Sequence, residues 1–217
     1  MNNTEECGHC DHLAATIEAA HERALRALSD NRAPLDAVVW LSAHLAAMDR
    51  VVYPAVRRHV AGADSAVREQ ERLSSELQHT LRTLEQVLSG DATARRLGHA
   101  ALIDHLVTLL STHAAEEHQL LDALGRAVGA DEADRLMARY ERAVTVGPTR
   151  PHPHTPHEGL AVRTQFILNK WRDHVLDVLD ARHVPIPKQR RSVPRPGRWG
   201  QYLLGMGTLS QTPKPKE

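Results

Sequence analysis

Aromatic residues are scarce: three Trp, three Tyr and one Phe make up 3% of the 217 residues. A core short of rings must be built from Leu, Ala and Val, a mix that favours helices over sheets. Cysteine is nearly missing, with only Cys7 and Cys10. That excludes a disulfide framework, so the expectation is a cytoplasmic protein with reduced thiols. Net charge is missing too, because 27 basic and 27 acidic side chains cancel. No global field therefore recruits nucleic acid or a membrane. No apolar run approaches the roughly 20 residues of a transmembrane helix, and the polar start MNNTEECGHC is unlike a secretory leader. There is no phosphate-binding Gly loop, nucleophile elbow or nucleotide motif, so nothing supports an enzyme with a defined organic substrate.

What is present is an ordinary apolar share, 41%, and an excess of histidine, 15 residues. A histidine excess points to metal binding or pH sensing only where the rings cluster. Leu102 to Leu124, LIDHLVTLLSTHAAEEHQLLDAL, is the stretch around which the chain is organised. Leu102, Leu106, Leu109, Leu120 and Leu124 recur at helical spacing and predict one buried face. His113 lies in that stripe, and Glu117 is one turn further along. A carboxylate in a core is costly unless it is paired, hydrogen-bonded or bound to a metal. His-x-x-x-Glu on a buried helix face presents an imidazole and a carboxylate to one cation.

Three further helices are expected before this one. The first, about Asp11 to Ser29, has a stripe of Leu13, Ile17, Ala20, Ala24 and Leu28, with His21 on that face. The second, about Leu35 to Val60, buries Leu41, Leu45, Met48, Val52 and Val56, with His44 and Asp49 on its shoulders. Pro54 bends this helix or ends it early. The third, about Ser65 to Leu88, has Leu73, Leu77, Leu81, Leu84 and Leu88 inward and Gln70 on the core side, while His79 points almost opposite. The central helix is the fourth, about Thr93 to Val128, and a short fifth, Glu132 to Ala143, is expected across one end. Short links between long helices imply an all-α, up-down-up-down four-helix bundle.

Register allows the histidines to meet. His21 and His44 are nearly equidistant from the first turn, at roughly 14–15 Å, and Gln70 and His113 share a height roughly 30 Å from theirs. His21, His44, His113 and Glu117, with Asp49 near, therefore form a candidate metal group. Mixed imidazole and carboxylate suits non-haem iron, manganese or zinc.

The ends of the chain read differently. Cys7-Gly8-His9-Cys10 has the spacing of a thioredoxin-like motif but no strand before it. A frayed terminus is expected there; a redox-active thiolate pair, or a metal pair with His9 and His12, is the alternative. Residues 1–146 form the bundle, 147–157 a Pro/His-rich spacer, 158–183 an amphipathic helix and 184–217 a basic Pro/Gly-rich tail expected to be disordered. The helix carries Leu160, Ile167, Trp171 and Val178 on one face, so it docks on the bundle or on a protein partner.

The motifs AAHERALRAL around His21, HLAAMDRVVYP with His44 and Tyr53-Pro54, and HAAEEH with His113 and Glu117 resemble the hemerythrin-like, or HHE cation-binding, family over roughly residues 10 to 128. The resemblance implies a four-helix bundle holding non-haem iron, one or two ions, and contact with oxygen, peroxide or nitric oxide. It implies His21, His44, His113 and Glu117 as ligands. Two positions depart: Met48 stands where a carboxylate belongs, with Asp49 next to it as a substitute, and Gln70 stands where a histidine belongs. The competing expectation is a metal-free interaction or regulatory protein acting through its C-terminal helix and tail.

Overall fold

In the computed structural model the described residues are 7–30, 34–89, 98–153, 169, 172 and 173. The Cys7 and Cys10 side chains, nearly all of the expected C-terminal helix and the basic tail lie outside them. The described elements are all helical: α1 (Cys7–Ser29), α2 (Pro34–Ala47), a wide turn (Met48–Val52), α3 (Tyr53–His59), α4 (Asp64–Leu88), α5 (His99–Ala127) and α6 (Ala130–Val146). α1 packs on α2, α2 on α4, α4 on α5 and α5 back on α1, which closes the four-helix ring.

Two apolar clusters fill the ring, one above the other. The first holds Leu13, Ile17, Met48, Val52, Tyr53, Val67, Leu120, Leu124, Leu136 and Tyr140. The second holds Ala24, Leu28, Leu41, Leu45, Leu77, Leu81, Leu106 and Leu110. α1 and α4 run from the first cluster to the second, and α2 and α5 run the opposite way. That alternation is the up-down-up-down topology read from the sequence. One register detail differs: Leu110 is fully buried while Leu109 is half-buried, because the stripe advances around the helix by 100° per residue. Ile17 is completely enclosed in the first cluster. Ile17→Val is expected to cost about 1 kcal/mol, read as a lower urea midpoint at unchanged slope.

Pro54 does not end the second helix. It has no N–H to offer the preceding turn, and the chain answers by widening just before it, with Tyr53 N bonding Met48 O across five residues. The helix then continues through α3 to His59. Gly62, at φ 73°, takes the left-handed conformation that reverses the chain into α4.

α6 is longer than the sequence suggests and does not cap an end. It lies along α1, α2 and the wide turn, burying Ala133, Leu136, Tyr140 and Ala143. After it, Gly147 approaches α2 so closely that a Cβ would meet Ala43 Cα at 3.2 Å and Ala143 O at 3.0 Å. The next residues lie on α4: His152 N donates to Gln78 Oε1 at 2.9 Å, and Arg150 bonds Glu85 at 3.2 Å. Asp173 fastens this segment, accepting from Thr149 N at 2.9 Å, Arg150 N at 3.0 Å and the His152 ring at 2.9 Å. The first part of the Pro/His-rich stretch is thus held against the bundle, and its His152 is engaged by a carboxylate. No described helix is long and apolar enough to cross a membrane.

Candidate metal centre

Between the two apolar clusters lies one polar layer. α1 contributes His21, α2 His44, α4 Gln70 and Ser74, and α5 His113 and Glu117, all buried. Each polar residue falls where its helix passes from one cluster to the other, so the layer is sealed by hydrocarbon on both sides. His21, His44, His113 and Glu117 each offer one donor atom, and these atoms all lie within 4.8 Å of one another. His21 Nε2 is 3.0 Å from His44 Nε2 and 3.0 Å from Glu117 Oε2; His44 Nε2 is 3.4 Å from that oxygen. His113 Nε2 stands 3.9 Å from Glu117 Oε1.

A surrounding shell aims these groups. The Tyr53 hydroxyl donates to Glu117 Oε1 at 3.0 Å and lies 3.4 Å from Ser74 Oγ. The Tyr140 hydroxyl bonds His44 Nδ1 at 2.8 Å, which leaves Nε2 as the nitrogen facing the group. The Gln70 amide nitrogen bonds the His113 carbonyl oxygen at 2.8 Å and also contacts His113 Nδ1.

Burial dominates the ionisation. It pushes His113 down to about 4 and His44 below the usual imidazole range, with the neighbouring Glu117 charge opposing both shifts. Burial works to raise the Glu117 carboxyl, but the His44 imidazole and then the His21 ring bring it well below the ordinary carboxylate range. Burial, reinforced by the Glu117 charge, raises both Tyr53 and Tyr140, so the phenols stay protonated. The layer thus presents neutral imidazoles and an ionised carboxylate, the protonation states a cation requires.

The fit to a cation also rests on two atoms without partners. Glu117 Oε2 and His113 Nε2 are buried and make no hydrogen bond. A buried carboxylate oxygen without a donor is costly, and a cation among the rings would offset that cost.

Four of the five candidate residues are therefore brought together. Asp49 is the fifth: it is buried on the wide turn and its charge bears on His44 and Tyr53, but it stands outside the group of four. Met48 is a fully buried core residue of the first apolar cluster. Neither acid flanking Gln70 replaces a ligand, since Glu71 makes a two-pronged pair with Arg57 at 2.8 Å and Glu69 pairs with Arg72 on the surface. His79 is exposed, as its helix phase predicts. Tyr140 was not read from the sequence. Its signal was the Ala133, Leu136, Tyr140, Ala143 stripe, which places one of only three tyrosines on a buried face.

A helical bundle with a dry layer of histidine and carboxylate donors defines a class: proteins able to hold a cation between four helices. The hemerythrin HHE cation binding domain matches residues 5–124. The chain belongs to that family. No curated protein and no solved structure matches it.

Proposed function

We propose that this protein binds non-haem iron within the polar layer and presents it to a small ligand such as oxygen, peroxide or nitric oxide. The observation that carries this reading is the convergence of three imidazoles and one carboxylate from three helices within 4.8 Å, with no competing cation in the layer. Imidazole with carboxylate is a donor set that iron accepts. Bound iron would supply reversible affinity for such ligands. The chain's own residues do the rest. His21, His44 and Glu117 furnish donors, Tyr53 and Tyr140 hold Glu117 and His44 in orientation, and the two Leu-rich clusters keep bulk water out.

Elemental analysis of anaerobically purified protein, with its optical spectrum before and after exposure to nitric oxide, tests this. Stoichiometric iron with a ligand-sensitive spectrum is expected; substoichiometric metal of every kind overturns it. Met48 and Gln70 favour a second reading, a metal-free bundle that acts by binding a protein partner, and the metal-poor outcome would support that one.

Outer-shell partners of metal ligands commonly contribute 10- to 100-fold to affinity. Tyr140→Phe removes the hydroxyl that aims His44, so a roughly tenfold weaker metal affinity is expected from chelator competition. An unchanged affinity would show that α6 is no part of the centre.

A further inference from the structure

Two donor atoms each about 2.1 Å from an ion lie about 3.0 Å apart at a right angle and about 3.4 Å apart at a tetrahedral angle. The edges of the triangle His21 Nε2, His44 Nε2, Glu117 Oε2 measure 3.0, 3.4 and 3.0 Å, so these three atoms already have the spacing of neighbouring ligands. His113 differs. The amide of Gln70 faces the His113 carbonyl oxygen at 2.8 Å, and two oxygens would repel there, so the amide nitrogen occupies that place. The same nitrogen contacts His113 Nδ1, which must then accept. A neutral imidazole carries one N–H. The proton of His113 therefore sits on Nε2, the fully buried atom that has no partner in the protein.

From this geometry we infer, resting on the metal reading above, that one cation is held by His21, His44 and Glu117 alone, while Gln70 keeps His113 as an N–H donor over the open face. Gln70 is a positioning residue that acts through the ring of His113. The open face then favours a small ligand that accepts a hydrogen bond, an anion such as azide being the simplest probe. Two histidines and one carboxylate on one face is an arrangement suited to iron with exchangeable positions.

The test is long-range 1H–15N correlation on full-length protein with 15N-labelled histidine, metal-free and after one equivalent of zinc. The expected result is His113 protonated on Nε2 in both states, with zinc shifting the Nε2 resonances of His21 and His44 and leaving His113 unshifted. A His113 protonated on Nδ1, or a His113 nitrogen that responds to zinc as His21 does, overturns this assignment while leaving the metal reading intact. No response in any ring overturns both.

Gln70→Glu supplies an independent measurement. A carboxylate accepts from Nδ1–H and frees Nε2, so His113 should become a fourth ligand, with zinc affinity rising about tenfold or more. In cobalt-loaded protein, His113→Phe should weaken azide about tenfold at unchanged cobalt occupancy, as expected for one lost hydrogen bond. An unchanged azide affinity, or loss of the cobalt, would count against the donor role.

Discussion

Glu117→Gln is expected to lower the affinity for a divalent cation by at least about 100-fold, more than the loss of an outer-shell partner. Glutamine keeps the shape, and its amide oxygen can still accept from Tyr53, which now donates to Oε1 at 3.0 Å. What disappears is the only carboxylate in the group of four. The metal-free variant should be no less stable than the parent, since a buried charge without full compensation has been replaced by a neutral amide. A ligand present at about a thousand times its dissociation constant stabilises by about 4 kcal/mol. Thermal melts with and without metal should therefore separate widely for the parent and coincide for the variant. Equilibrium dialysis gives the same comparison directly. If the variant bound metal like the parent, the polar layer could not be the site.

Acid should unfold the metal-free protein well before it reaches ordinary carboxylate pKa values. His113 is held at about 4 in the fold against 6.5 when free, so between those values the unfolded chain binds more protons than the native one. Its contribution is complete above the unfolded value, falls as pH drops through 6.5, and is gone near 4. The size is about 3 kcal/mol for this one ring. His44, also lowered by burial, acts in the same direction. Glu117, lowered as well, adds a loss only at still lower pH. Urea midpoints of metal-stripped protein at neutral pH and near pH 4 measure this. A flat profile would mean that His113 is hydrated in solution rather than enclosed.

Helix phase and turn distance were enough to read the bundle, because the Leu stripes and short links leave few alternatives. The same arithmetic placed His21, His44, His113 and Glu117 at one height and His79 outside. It also put Gln70 opposite His113, where the two now touch. The orienting residues were not legible. Tyr140 reaches His44 from a helix 96 positions away, and no local pattern announces such a contact. Tyr53 was seen only as part of a Tyr-Pro step; that its hydroxyl meets Glu117 depends on the wide turn, which periodicity assumes away. Asp173 was equally silent, since its partners are two backbone N–H groups and a ring more than twenty positions back.

The widened turn at Met48–Val52 is one residue too many for an ordinary helix, and that surplus sets an angle. Deleting Arg50, whose side chain is exposed, would let the turn tighten to regular pitch at no loss of core. Everything downstream would then swing by about 100° about the axis. Tyr53 would leave Glu117, and Val56 would rotate out of the hydrocarbon. The aim of the phenol is therefore stored as a residue count, and point substitutions that leave the count alone should spare it.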